Sequence, residues 1–411
     1  MTDNEIYSTN PERVVARGSS IRRFYAYKLV TEMQFSGGIW ILYLKSRGLS
    51  LAEIGLAESA FHLAPVLLEL PSGSFADLVG RRWSLAIGSL LIALSSLMLL
   101  FADTLPMAML ALFLHGASFS FRSGADQAYL YDSLGDRQAT FGSILGKLLG
   151  ATYLVGGATI WIGASLSEIS YGWPIGLAAA AGLAGVWLAA GLAEGRASSE
   201  PAERASVGDH AREAVTVLRA RPQLVFVLLF SGGFWAAQTI AFLYLQAAFS
   251  DRELSNSTIG LILAVGLALT ALGSAVAGRV EHRIRFSRQL TALALLSGLG
   301  IAAVALDPLL VAVSAYLMAN LVTGLLDPLL FAWYNHQVPS AQRATLISVD
   351  SWLFSLTMIV AFPVAGWMAG REGWGLVYLA CGAVQVGLTV LLLVVRLLYA
   401  RRKGGETLAD P

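Results

Sequence analysis

Five polar or charged side chains lie inside long apolar segments of this 411-residue chain: Glu32, Gln34, Arg122, Asp126 and Asp327. An ionisable group in the hydrocarbon of a membrane is strongly unfavourable unless it is paired or hydrated, so it marks a functional position by default. The carboxylates are candidates for taking up and releasing a proton, and the amide and guanidinium for binding a polar ligand. For Glu32 the alternative is a structural carboxylate that is hydrogen-bonded to a neighbouring helix.

Other polar positions in the apolar segments are secondary candidates. Glu58 and His62 are spaced i,i+4, and such a pair can relay protons near neutral pH. Asp350 lies near the start of its segment, where stabilising the helix dipole is the alternative role. Trp235 and Gln238 are expected at the depth of Glu32, where they would line a site for an amphipathic ligand.

Twelve apolar segments close to the bilayer-spanning length carry these side chains, which predicts an all-α membrane protein with twelve transmembrane helices. In the first part of the chain the spans are expected at 24–45, 52–72, 83–102, 106–130, 141–166 and 173–193. In the second part they are expected at 223–249, 257–278, 288–306, 309–334, 344–369 and 374–398.

Composition excludes several classes of protein. Hydrophobic residues make up 56% of the chain and charged residues 13%, well below the ~25% charged residues of soluble domains. The net charge of +1 gives no indication of nucleic acid as a partner. A single cysteine, Cys381, excludes a disulfide framework, and motifs for nucleotides, acyl transfer or metals are missing. We therefore expect no enzyme, no cofactor, no metal site and no use of ATP.

The distribution of Lys and Arg predicts the topology. Residues 1–23 are polar and carry four arginines without a following cleavable leader, so they are expected to be a cytoplasmic tail. With both termini inside, the outer loops hold only Lys45, Arg47, Arg252 and Arg371. The sequence thus predicts a multi-pass protein of the cytoplasmic membrane, surrounded by lipid and monomeric, with cytoplasmic tails at 1–23 and 399–411.

A weak internal repeat divides the chain into two six-helix bundles, 24–193 and 223–398, joined by a polar cytoplasmic linker at 194–222. Residues 49–56 and 254–261 share L-S-x-x-x-I-G-L, and 139–143 and 344–348 share A-T-x-x-S, both at an offset of 205. Parallel repeats of this kind are a transporter plan, with the ligand site between the halves near the membrane midplane.

The same offset relates Arg122 to Asp327. We therefore expect these opposite charges at matching depth, pairing across the cavity in one state and separating in another, with Asp126 as an exchange partner. Because Arg122 and Asp126 are four residues apart, they would share one face of a continuous helix. The alternative is that these two merely neutralise one another within that helix.

The loop at 73–82, GSFADLVGRR, resembles the signature, roughly G-x-x-x-D-x-x-G-R-R, between helices 2 and 3 of major facilitator superfamily transporters. Its glycine before the arginines permits the positive φ of a tight turn. The run ELPSG at 69–73 resembles that of exporter-like branches, which implies an interdomain contact for Glu69. The resemblance implies a gating loop formed by Gly73, Asp77, Gly80, Arg81 and Arg82.

The resemblance implies a secondary active transporter that moves a small organic solute by alternating access, coupled to protons, with efflux by antiport as the leading hypothesis. Helices 1, 4, 7 and 10 would line the cavity. The antiporter signature is incomplete, because Leu112 stands where the family has an arginine. A proton-coupled uptake permease is the alternative, and a non-transporting sensor or scaffold is a third hypothesis. His282 takes the place of Asp77 in the second half.

Overall fold

The computed structural model describes residues 11–193, 222–281, 286–337 and 343–402, and all regular structure in these ranges is helical. In the first half the α-helices are α1 Pro11–Thr31, α2 Trp40–Ser46, α3 Leu51–Val79, α4 Arg81–Leu100, α5 Leu105–Arg122, α6 Ala125–Leu134, α7 Phe141–Ser167 and α8 Gly172–Ala190. A 3₁₀ helix at Gly135–Thr140 lies between α6 and α7. In the second half they are α9 Pro222–Ser250, α10 Asn256–Glu281, α11 Phe286–Ala303, α12 Leu309–Gln337, α13 Arg343–Glu372 and α14 Trp374–Arg402.

Nine helices within the described ranges are long and apolar enough to cross a membrane. The predicted spans missing from that set are the first, fourth and ninth. The first and fourth are each divided into two helices, and the ninth corresponds to α11, whose apolar part, Gln289–Ala303, is shorter. The all-helical membrane fold is confirmed, and the exceptions identify where the chain departs from continuous spans.

The first predicted span is broken between α1 and α2. Residues 32–39 are not α-helical and include turns, in which the N–H of Gly37 donates to the carbonyl of Gln34 at 2.9 Å and the N–H of Trp40 donates to the carbonyl of Ser36 at 3.0 Å. The segment contains Gly37 and Gly38, and glycine lowers the stability of a helix interior by about 1 kcal/mol relative to alanine. The expectation that Glu32 lies inside a continuous helix is therefore wrong, since it lies just past the end of α1.

The fourth predicted span is broken between α5 and α6. Arg122 is the last residue of α5, and Gly124 precedes α6 with a φ of 75°. This left-handed conformation favours glycine and interrupts the helix. Arg122 and Asp126 therefore do not share the face of one helix, contrary to the sequence prediction.

Several predicted boundaries also differ from the observed ones. α1 begins at Pro11, inside the predicted tail, α9 begins at Pro222, and α14 continues to Arg402. The predicted linker at 194–222 lies outside the described residues except for its last one. His282 also lies outside them.

The two halves meet at one end of the helix bundle, which we call the closed end. It carries the α2–α3, α4–α5 and α7–α8 connections of the first half and the α9–α10, α11–α12 and α13–α14 connections of the second. One buried cluster includes side chains from both halves there, such as Ile41, Ile160, Tyr244 and Phe362. Towards the opposite, open end the buried clusters belong to single halves, around Tyr129 in the first and around Phe234 and Leu326 in the second.

Close backbone packing joins α3 to α13 and α7 to α10 at the closed end. Ser59 Oγ donates to the carbonyl of Ile359 at 2.8 Å, and Ser165 and Ser257 share a hydrogen bond of 3.0 Å. A Cβ added to Gly366 would lie 2.2 Å from the carbonyl oxygen of Leu51, so only glycine fits there. Small residues thus let the halves approach closely, as in other membrane helix pairs.

Glycine at 163 is expected to be essential for the position of the broken segment. A Cβ there would lie 1.8 Å from the carbonyl oxygen of Phe35, whereas nothing lies within 4 Å of a Cβ at Gly150 on the same helix. Gly163→Ala should lower the free energy of unfolding by about 1–3 kcal/mol through overpacking. Gly150→Ala should leave it unchanged or raise it slightly. Thermal unfolding in detergent compares the two, and equal melting temperatures would contradict the prediction.

Candidate functional site

Four charged side chains form a chain of ion pairs where the first and fourth spans are broken. Lys28 Nζ lies 3.0 Å from Glu32 Oε1 and 2.7 Å from Asp126 Oδ2. Arg122 Nη1 lies 3.4 Å from the same Glu32 oxygen. The order is Arg122, Glu32, Lys28, Asp126, so opposite charges alternate and the cluster, here called the charge quartet, is neutral as a whole.

Exposure differs among the four members of the charge quartet. The side chains of Lys28, Arg122 and Asp126 are 12%, 13% and 14% exposed, whereas that of Glu32 is 29% exposed. Glu32 is therefore the member that a ligand or water reaches most readily.

Arg122 is fixed by backbone as well as by charge. Its Nη1 donates to the carbonyl of Thr31, the last residue of α1, at 3.2 Å. A cation at a helix C-terminus is stabilised by the unpaired carbonyls there. Its stem passes over α4 at Gly88, where an added Cβ would lie 2.5 Å from Arg122 Cγ. A side chain at position 88 would therefore displace the guanidinium.

Lys28 is the member of the charge quartet that the sequence analysis did not single out. It lies in the predicted first span and precedes Glu32 by four residues, which is the spacing of a helical ion pair. That signal was available in the sequence. Its contact with Asp126, 98 residues away, required the tertiary structure.

Asp327 of α12 lies on the other side of the gap between the halves. Its side chain is exposed, and none of the described groups forms a hydrogen bond or an ion pair with it. Tyr153 of α7 lies within electrostatic range of both Asp327 and Glu32. Arg122 is bonded to Glu32 in this state, so the predicted pairing of Arg122 with Asp327 stays a prediction for another state.

The segment that follows Glu32 packs on α7. The N–H of Gln34 donates to Thr159 Oγ1 at 2.9 Å, and its side chain is exposed. A Cβ at Gly156 would lie 3.2 Å from Gln34 Nε2, so the glycine leaves space for the amide. His115 of α5 is exposed nearby, within electrostatic range of Glu32 and Arg122.

The predicted residues of the seventh and eleventh spans belong to networks within the second half. Gln238 is buried and accepts hydrogen bonds from Ser297 at 3.4 Å and from Gln385 at 3.2 Å. Trp235 is half-buried and packs in the cluster of Phe234. Asp350 accepts a hydrogen bond from Ser231 at 3.2 Å. The structure therefore does not bring Gln238 and Asp350 into the charge quartet.

Glu58, His62 and Glu69 lie on α3 where it faces α13. His62 Nε2 is 3.6 Å from Glu58 Oε1, and both side chains are buried. The His62 ring meets that of Phe354 edge to face, and Glu69 lies beside Trp352. They lie between the halves, and none of the three forms an ion pair with a member of the charge quartet.

The loop between α3 and α4 turns at a single residue, Gly80, whose φ is 118°. Arg81 Nη1 donates to the carbonyl of Ala128 at 2.9 Å and forms an ion pair with Asp132. The loop is thereby fastened to α6, which carries Asp126. Asp77 is exposed, and nothing lies within 4 Å of a Cβ at Gly73, so no close backbone contact requires a glycine at that position.

The described residues contain no group of three His, Cys, Asp or Glu side chains able to hold a metal ion. An apolar cavity of about 270 Å³ lies among α9, α13 and α14, against Gly233, Thr357 and Cys381. It is separate from the charge quartet and adds no charged group to it.

The comparisons with known proteins agree with this architecture. A family profile described as Major Facilitator Superfamily matches residues 30–251 and 235–410. The chain belongs to the major facilitator superfamily. The chain is also 24% identical, over 394 residues, to an uncharacterized MFS-type transporter, YxaM, of Bacillus subtilis (strain 168). That alignment covers 92% of this chain and 94% of the relative.

Solved structures of superfamily transporters share the fold. The nucleoside transporter NupG superposes with a TM-score of 0.71 at 14% identity, over 94% of this chain and 99% of the other. A D-xylose-proton symporter superposes with a TM-score of 0.69 at 13% identity, over 92% and 96%. At these identities the likeness shows the fold alone. The family match and the Bacillus subtilis relative identify the chain as a multi-pass membrane transporter of the superfamily.

Removing Lys28 alone should destabilise this superfamily member more than removing it together with Asp126. Lys28→Met leaves Asp126 without its cation, and breaking a buried pair by removing one partner costs on the order of 3 kcal/mol. Lys28→Met with Asp126→Asn leaves the neutral pair Glu32 and Arg122 and should recover most of that loss. A double-mutant cycle on the melting temperature measures the coupling. Additive single effects would contradict the charge quartet.

Proposed function

We propose that this chain is a secondary active transporter that moves a small organic solute by alternating access, coupled to protons and in the direction of export. The observation that carries the proposal is the division of the buried core. The cluster that both halves share lies at the closed end, whereas the clusters towards the open end belong to single halves, although α3 stays beside α13 as far as Glu69 and Trp352. Glu32 and Gln34 face the gap between the halves on one side and Asp327 on the other. Rocking of the halves would expose this gap alternately to the two sides of the membrane.

The distribution of basic residues supports an assignment of the sides. The loops and adjoining helix ends of the closed end carry Lys45, Arg47, Arg252 and Arg371, and most other Lys and Arg lie in the tails, linker and opposite loops. By the positive-inside rule the closed end is then extracellular and both termini are cytoplasmic. With this orientation the open end faces the cytoplasm, and an exported solute would enter the gap from that side.

Asp327 is the proposed proton carrier. Glu32 already has Lys28 and Arg122 as partners, so protonating it would disrupt two ion pairs. Asp327 forms no hydrogen bond or ion pair with any described group and can gain or lose a proton without breaking the ion pairs of Glu32. Glu32 and Gln34 would then orient the solute, and Arg122 would pair with Asp327 in the outward-facing state.

Export is supported by the ELPSG run at 69–73, which resembles that of exporter-like branches.

The first step in testing the proposed function is to find a ligand by thermal shift of the purified protein, using nucleosides, pentoses, short peptides and amphipathic amines. Radiolabelled flux of that ligand in vesicles of known orientation then gives the direction. Proton-driven accumulation on the extracellular side supports export, accumulation on the cytoplasmic side indicates the uptake permease, and no flux of any bound ligand supports a scaffold.

Asp327→Asn should abolish proton-driven accumulation while exchange of labelled for unlabelled solute continues. The amide cannot carry a proton but keeps the shape and polarity of the site. We expect accumulation in proteoliposomes to fall by at least about tenfold, which corresponds to about 1.4 kcal/mol. Glu372→Gln, an exposed change at the last residue of α13, is the matched control and should behave as wild type. Undiminished accumulation in Asp327→Asn would assign the proton to another group.

A further inference from the structure

Gln246 of α9 is a buried side chain at the closed end whose amide is bonded entirely to the backbone of the other half. Its Oε1 accepts a hydrogen bond from the N–H of Ile41 at 3.1 Å, and its Nε2 donates to the carbonyl of Gly37 at 3.2 Å. The residue is 1% exposed. Both contacts join the second half to the break in the first span.

These two backbone groups need a partner because the first span is broken. The N–H groups in the first turn of a helix have no acceptor within the helix. α2 begins at Trp40, and its N-cap Ile39 provides no side-chain hydrogen bond. Ile41 therefore depends on an acceptor from elsewhere, and Gln246 supplies it.

The internal repeat explains why Gln246 meets Ile41. The two residues are 205 positions apart, which is the offset that relates the halves. They are equivalent positions and meet near the axis between the bundles. Only the first half has backbone groups that need outside partners at this position, because α9 is continuous through Gln246 whereas the first span is interrupted. A polar side chain is therefore needed only on the second half.

A second contact at the closed end has the reciprocal form. Glu168, just after α7, accepts a hydrogen bond from the N–H of Ser257 in the first turn of α10 at 2.8 Å. Each half thus provides a side chain that satisfies a helix N-terminus in the other. Opening this end must remove both acceptors from their N–H groups.

We propose that Gln246 is a positioning residue of the transport cycle, which couples the ligand-binding segment 32–39 to closure of the opposite side. The segment carries Glu32 and Gln34 at one end and Gly37 at the other. Movement of the segment with its ligand would strain both bonds of Gln246, and releasing them frees the halves to part at the closed end. The inference rests on the proposed alternating access.

The test measures the conformation of the purified protein without a solute or a proton gradient. Spin labels at Thr104→Cys and Glu372→Cys report the separation of the halves at the closed end, and Cys381→Ala removes the one native thiol. In Gln246→Leu, electron paramagnetic resonance should show a roughly tenfold higher ratio of separated to closed molecules, from the loss of two buried hydrogen bonds. Gln246→Met keeps the side-chain length and should give the same shift.

Gln385→Leu is the matched control. Gln385 is equally buried in the same half, but its Nε2 bonds the carbonyl of Phe234 and the Oε1 of Gln238, within that half. The distribution of spin-label distances in Gln385→Leu should match that of the wild type. Glu168→Ala should raise the ratio of separated to closed molecules, as Gln246→Leu does, but by less. Equal distributions in Gln246→Met and Gln385→Leu would overturn the role of Gln246. Solute flux tests the proposed function and Asp327→Asn tests the proton carrier, so failure of either is distinguished from failure of the conformational shift, which is measured without solute or proton gradient.

Discussion

The structure depends on one constraint: every backbone N–H and C=O inside an apolar bilayer needs a partner from the protein. Continuous helices meet that constraint by themselves, and most of this chain consists of them. The first and fourth spans do not, because glycines interrupt them. Each interruption frees backbone groups that side chains from elsewhere must satisfy.

The polar side chains found near the breaks answer this demand. Arg122 donates to the carbonyl of Thr31, and Thr159 accepts a hydrogen bond from the N–H of Gln34. Gln246 accepts from the N–H of Ile41 and donates to the carbonyl of Gly37. Charged groups brought in for this purpose need counter-charges in turn, and the charge quartet provides them. A site for a polar solute arises from the same irregular backbone, since freed groups and neutralised charges lie beside a gap.

The two halves use a common plan but contribute differently to the site. The first half holds two cations and two anions in a neutral chain of ion pairs, whereas Asp327 of the second half forms no ion pair with any described group. A bonded cluster holds its shape, and a carboxylate outside it can change its protonation. This division gives the halves different roles in coupling, even though their helices are related by one offset.

The sequence by itself determined the membrane class, the repeat, the family loop and the ionisable positions inside spans. These follow from local properties: apolar length, the offset of 205, and the cost of charge in hydrocarbon. It did not determine that Gly124 ends the helix before Asp126, or that Lys28 rather than Arg122 binds Asp126. Only the tertiary structure decided those pairings, because which side chain reaches a freed backbone group or charge depends on helices brought together from distant parts of the chain.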